Sequence, residues 1–282
     1  MKQRDSIKMI FVWLGLSCVA FACTPSKETE AFFNYGTTSD SARYYFFKGW
    51  EEIMDNGRWT ASEKAFRKAL EFDPNWPLGQ SLVGRISRDV EERKKILQAI
   101  EANKDQIAED ERLLLDVNLL SIQAAINRAQ GVQNNPEQRL YRMQLAENNF
   151  GQFARKYPDD AYFKAEYIEF LHANHDAQTA LDSLKALATT EQLELGFYIS
   201  YQASLELELN NLGKAQSLLA VLEENLSDPT YTSPLMLQAQ IYMAQDSLKQ
   251  AKLLVDQVVE MDPNHLIAQG TKSRIDQQLG ID

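Results

Sequence analysis

Residues 66–75 read Phe-Arg-Lys-Ala-Leu-Glu-Phe-Asp-Pro-Asn, and residues 255–264 read Val-Asp-Gln-Val-Val-Glu-Met-Asp-Pro-Asn. Each is the apolar-striped end of a helix that runs into Asp-Pro-Asn. Proline cannot continue a helix, and it drives the residue before it out of the helical region. A helix that stops twice in the same way, with the same kind of packing residues before the stop, marks a repeated unit. Units of this kind must stack on one another, because a single one cannot bury its own apolar face.

The composition agrees. Only 12 glycines and 8 prolines occur in 282 residues, which favours helix and leaves little material for turn-rich β structure. The formal net charge is -11. Such an acidic chain argues against nucleic acid as a partner, because phosphate contacts need clustered Lys and Arg. It also opposes broad adsorption to anionic lipid, and solubility is explanation enough for the charge.

Residues 1–22 read as a signal peptide. Lys2, Arg4 and Lys8 give a positive start, and residues 9–22 form a run without charge. That run is shorter than the about 20 residues a bilayer span needs, and it suits the apolar region of a leader. Two processing routes are open. Ala20-Phe21-Ala22 fits a small-x-small cleavage site that would release a soluble exported protein. Ala22-Cys23 resembles the lipobox of bacterial lipoproteins, in which the cysteine is lipidated and becomes the new N-terminus; Ala20 stands where the usual Leu would be. Cysteine usage favours lipidation at Cys23. The chain has 2 cysteines, Cys18 and Cys23, so simple secretion would leave one thiol with nothing to pair with. Residues 23–40 would then be the lipidated N-terminus and a polar tether to the membrane. Thr24 after the cysteine resembles outer-membrane sorting. The leader's charges sum to +2, so the chain without it would carry about -13.

From about Ser41 a helical period takes over. Tyr44, Phe47, Trp50, Ile53 and Met54 recur at three- and four-residue spacing. Asn56-Gly57 breaks the helix, and a second stripe runs through Ser62, Phe66 and Ala69 to Pro74. Near the other end, Ala239 and Tyr242 precede Ala251, Val255, Val258 and Pro263. Between them come Ile168, Leu171, Ala180 and Leu184, then Ala203, Leu207, Ala215 and Leu219. Small residues where two helices cross let their axes approach, and larger ones fill the adjoining gap. Units begin near residues 43, 77, 110, 161, 196 and 232, with a closing helix near 266.

This arrangement of helix, short turn, helix and proline resembles the tetratricopeptide repeat, a unit of about 34 residues. The resemblance covers residues 41–282 and implies an all-α fold, a right-handed solenoid of about six helix pairs with a C-terminal capping helix. The third unit departs from it. Residues 129–135 form a loop longer than the motif's, either a kink between two half-solenoids, a plain surface loop or a binding loop.

No chemistry stands out. His172 and His175 could share a helix face as metal ligands, but they fall where a repeat turns and no cysteine completes a zinc site. Acid pairs such as Glu91-Glu92 and Glu223-Glu224 point different ways on a helix and read as solvated faces, not as a glycosidase pair. No phosphate loop, dinucleotide, serine-hydrolase or zinc-protease motif occurs. No enzyme activity, metal or cofactor is expected.

In tetratricopeptide proteins the first helices of successive units line a concave groove that holds a protein or peptide segment. Carried onto this chain, the resemblance implies a groove lined by Tyr44, Phe47, Glu51 and Met54 in the first unit. Leu78, Ser81, Arg85 and Arg88 follow in the second, then Tyr162, Ala165, Glu169 and His172, and finally Gln240 and Met243. The lining is mixed, unlike the Lys/Arg clamp of chaperone-binding members. The implied function is a lipid-anchored protein-interaction scaffold at the bacterial envelope; the alternative is a glycan- or nutrient-binding uptake lipoprotein. The stretch from Phe32 to Trp76 is crowded with aromatics. Either its first residues, Phe32 to Tyr35, fold back to cap the solenoid, or some of its rings face a partner.

Overall fold

The computed structural model describes residues 33–133 and 135–281. The leader, Cys23 and most of the tether lie outside them. Among the described residues there are thirteen α-helices and no strand. Six pairs follow in order: α1 Asp40–Trp50 with α2 Trp59–Phe72, α3 Pro77–Ile86 with α4 Val90–Glu101, and α5 Glu109–Ala129 with α6 Pro136–Lys156. They continue as α7 Ala161–Asn174 with α8 Ala177–Leu187, α9 Gly196–Glu208 with α10 Leu212–Asn225, and α11 Ser233–Ala244 with α12 Leu248–Met261. The single helix α13, Leu266–Leu279, closes the array. No helix among the described residues is long and apolar enough to cross a membrane.

Local chemistry sets the boundaries. Ser39, Asp89, Asp160 and Asp176 cap α1, α4, α7 and α8 by accepting backbone N–H groups of the first turn, which satisfies donors that have no intrahelical partner. Pro77 and Pro136 sit at the first positions of α3 and α6, where a missing N–H costs nothing. Both Asp-Pro-Asn segments end their helices, α2 at Phe72 and α12 at Met261. At the crossings, Ala69, Ala146, Ala180, Ala203, Ala215, Ala239 and Ala251 are all fully buried, as close approach of helix axes demands. In the third unit α5 and α6 run to 21 residues each, longer than the helices of the neighbouring units.

The aromatic arm folds back, but into a seam within the molecule rather than over its end. Tyr35 and Gly36 both take positive φ, 59° and 77°, a turn in which glycine carries no penalty and tyrosine does. That turn aims Phe33 at Phe153 and Tyr157, with centroids 5.1 and 5.0 Å away. Tyr35 packs edge-on against Phe47 at 4.9 Å. The Tyr35 hydroxyl donates to Asp160 Oδ2 at 2.5 Å, and Trp76 Nε1 donates to the Tyr35 carbonyl at 2.5 Å. Burial pushes the Asp160 carboxyl up, while the Tyr35 hydroxyl and the Phe163 amide pull it down. The arm thereby ties α1 and α3 to α6 and α7.

The first unit also reaches the last ones. The final turn of α1 widens into a π segment, Glu51–Asp55, before the break at Asn56 and Gly57. Gly57 has φ 76°, and a Cβ there would meet the Ser233 backbone nitrogen at 2.8 Å. In the space this leaves, Asn56 O accepts the Thr232 N–H at 2.9 Å, and the Thr232 hydroxyl donates to Gly57 O at 2.8 Å. Asp262 accepts both the N–H and the hydroxyl of Thr60, at 2.9 and 2.6 Å. The solenoid therefore closes on itself, with the turn of its first unit held against the starts of α9, α11 and α13.

Candidate functional site

Closure leaves a cavity of about 490 Å³ on the concave side. Its walls come from the end of α1, the start of α2, and the first helices α3, α7, α9 and α11, with the start of α13 across the mouth. Apolar residues make most of the surface: Trp50 from α1, Ile53 and Met54 from the π segment that follows it, Leu82 from α3, Phe197 from α9, and Met236 from α11. This size and lining fall in the range of small-ligand and side-chain pockets.

The polar groups are concentrated on α3, α7 and α9. Arg85 Nη2 donates to Glu166 Oε1 at 2.7 Å and Nη1 to Asn118 Oδ1 at 3.1 Å. Its guanidinium also stands 5.9 Å from the Trp50 ring centroid. Glu166 is buried and thus neutralised by a charged partner, the condition under which a buried carboxylate is tolerated. Glu169, one turn further along α7, also lines the cavity. No hydrogen bond to it occurs among the described residues. Burial pushes its carboxyl up, and the Glu166 charge adds to the shift, while Arg85 acts against it. On α9, Tyr201 stacks on Phe197 with centroids 5.1 Å apart, and its hydroxyl meets His172 Nδ1 at 2.9 Å. Ser204 Oγ donates to Gln240 Oε1 at 2.6 Å, joining α9 to α11. At the mouth, burial depresses His265 to about 4, so it stays neutral near pH 7.

Four of the groove positions inferred from the sequence meet here: Met54, Arg85, Glu169 and Gln240. The others are placed elsewhere. Leu78 and Ser81 have no surface to offer: both are fully buried, and Ser81 Oγ accepts from Asn118 while donating to the Leu78 carbonyl. They face α5, the first helix of the next unit. Ala165 is likewise fully buried in the core between α7 and α9. Phe47 is covered by Tyr35 of the arm. Tyr162 stacks on Trp50 at 6.0 Å and donates its hydroxyl to Asp55 at 2.9 Å, so it belongs to the closure. Met243 packs in the α11–α13 core. Tyr44 and Arg88 are exposed, Glu51 pairs with Lys48, and His172 bridges Tyr201 to Glu208.

His172 and His175 point to different helices. His172 meets α9, and His175 Nε2 lies 3.1 Å from Glu147 on α6. No group of three or more His, Cys, Asp or Glu is placed to hold a metal among the described residues.

Glu166, Phe197, Tyr201, Ser204 and Met236 line the cavity without having been inferred. Glu166 precedes Glu169 by three, and Met236 precedes Gln240 by four, so projecting the helical spacing backward would have found both. Phe197, Tyr201 and Ser204 repeat that spacing on α9, a unit for which no groove position was inferred.

No family model matches the chain, and no curated protein matches it. Among solved structures it is similar to the crystal structure of a tetratricopeptide repeat protein from Parabacteroides merdae ATCC 43184. The two share 14% identity and a TM-score of 0.43, over 84% of this chain and 99% of the other. The likeness is distant, and the site rests on this chain's own geometry.

Proposed function

We propose that the protein is a binding scaffold of the bacterial cell envelope, anchored through a lipid on Cys23, and that it holds a short segment of a protein partner in the concave cavity. The observation that supports this most is the cavity's construction. Its walls are supplied together by the first helices of four units besides the first, so its shape depends on closure of the whole solenoid. A groove open along its length would admit an extended strand. Here the first unit occupies the concave side, and the space that remains suits one or two side chains of a partner. An anchor holding the site near the membrane would raise the effective concentration for a partner confined there.

The test is site-specific photocrosslinking in intact envelopes. A photoreactive residue at Gln240, inside the cavity, is compared with one at Leu253, which is 71% exposed on the outer side of α12. A discrete adduct at Gln240, absent at Leu253 and lost when Ser204→Trp fills the cavity, is the expected outcome. An adduct indifferent to Ser204→Trp would overturn the proposal.

A further inference from the structure

We infer that the cavity is a receptor for a lysine side chain of the partner segment, its aliphatic stem against the apolar lining and its ammonium on Glu169. The inference rests on the cavity being the binding site, and it adds the chemistry of what enters.

The charges that face Glu169 can be counted wall by wall. Arg85 on α3 and Glu166 on α7 are paired at 2.7 Å and cancel. Tyr201 on α9 is a phenol that burial keeps protonated. His265 before α13 is neutral near pH 7. The cavity residues of α1 and α11 carry no charge. Among the described residues, Glu169 is left as the one acid of the cavity wall without a partner, inside a mostly apolar space. A half-buried carboxyl in that position meets two alternatives: it keeps its proton, or it finds a cation. Burial and the neighbouring Glu166 hold the proton on in the empty site. An entering ammonium displaces it: the Glu169 proton passes to solvent, and a carboxylate–ammonium pair remains.

A lysine fits this lining better than an arginine. The four-carbon stem can lie on Trp50, Met54 and the Phe197–Tyr201 stack. The three ammonium donors can be met by Glu169 with the hydroxyl oxygens of Ser200 or Ser204, which line the same cavity. A guanidinium carries five donors in a fixed fork, and Glu166, the carboxylate that could share them, is already taken by Arg85.

The experiment is calorimetric titration of the protein with n-pentylamine and with n-pentanol, at several pH values. Nα-acetyl-lysine amide and its Nε-acetylated form are then titrated in the same way. The expected result is a preference for amine over alcohol of tenfold or more, growing as pH rises toward 9, with proton release on binding. Nα-acetyl-lysine amide binds, and acetylating its amine abolishes binding. In Glu169→Gln the amine preference and the proton release both vanish, while alcohol binding is unchanged. Equal binding of amine and alcohol by the wild type overturns the lysine inference and leaves the cavity reading standing. Binding of pentylamine without the lysine amide overturns it too, in favour of a free amine. If none of the probes binds, the cavity reading falls and the inference with it. The wild-type pH series decides the matter even if the variant folds poorly.

Discussion

Phe197 donates its backbone N–H to Asp55 Oδ1 at 2.9 Å, across 142 residues of sequence. Leu195, the residue at the N-cap of α9, offers no side-chain acceptor of its own. The first unit therefore caps a helix of the fifth. Burial raises the Asp55 carboxyl to about 6, against the stabilising hydrogen bonds from Phe197 and Tyr162.

Removing this cap opens the ring of contacts. Asp55→Ala leaves the Phe197 N–H and the Tyr162 hydroxyl without their acceptor and is expected to cost about 1–3 kcal/mol. Asp55→Asn keeps an acceptor and removes the charge, so it is expected to be near neutral. Gly196→Ala should act like Asp55→Ala, because its Cβ would lie 2.7 Å from the Asp55 carbonyl oxygen, a backbone atom. Urea unfolding of the three variants checks the order; equal stability of Asp55→Ala and wild type would refute the capping role.

The two Asp-Pro-Asn segments carry unequal weight. Asp262 accepts two hydrogen bonds from Thr60 and so caps α2, which lacks a side-chain cap at Arg58. Asp73 accepts the Thr37 hydroxyl at 2.5 Å. Asp262→Ala is expected to cost about 1–2 kcal/mol, and to speed hydrogen exchange at the Thr60 amide. Asp73→Ala should cost less and leave that amide protected.

Stability should fall as pH rises through the lower neutral range. Glu111 is buried beneath the arm's turn at Gly36, and one of its carboxyl oxygens lacks a hydrogen bond. Burial raises its carboxyl to about 7. Between the ordinary glutamate range near 4.5 and that value, the unfolded chain has lost this proton and the folded chain keeps it. Folding is then progressively disfavoured with rising pH. Glu111→Gln is expected to raise Tm relative to wild type at pH 8, with no gain at pH 4. Thermal melts across that range decide it.

On the acid side the sign reverses at His265. Its neutral Nδ1 accepts the Ala268 N–H at 3.2 Å and caps α13. Because burial holds the folded imidazole at about 4, below its ordinary value near 6.5, the unfolded chain binds the proton first as pH drops. Stability contributed here is present above about pH 6.5 and lost as pH falls through 4. Exchange at the Ala268 amide should accelerate below pH 4, and His265→Asn should remove that acceleration while keeping a cap. An exchange rate for Ala268 that follows only the intrinsic pH dependence would count against this.

Anchoring is testable without reference to the fold. Labelled palmitate should be incorporated into the wild type and not into Cys23→Ala, which would then leave the membrane fraction. Unchanged labelling of the variant would dispose of the anchor.

The sequence by itself determined the helices and their pairing. Period, proline stops and small residues at crossings act within one unit or between adjacent units, over distances that a 34-residue window contains. Ala239 and Ala251, or Ser62, Phe66 and Ala69, could be read as packing residues from spacing alone, and all are buried. Tertiary structure alone decided the closure and the cavity. Asp55 with Phe197, Thr60 with Asp262 and Arg85 with Glu166 join residues 142, 202 and 81 positions apart. No periodicity encodes such pairs, because they depend on how small rotations between successive units accumulate around the solenoid. The same accumulation turned Leu78 and Ser81 into the core, brought Met54, Arg85, Glu169 and Gln240 to one space, and gave two identical Asp-Pro-Asn stops different partners.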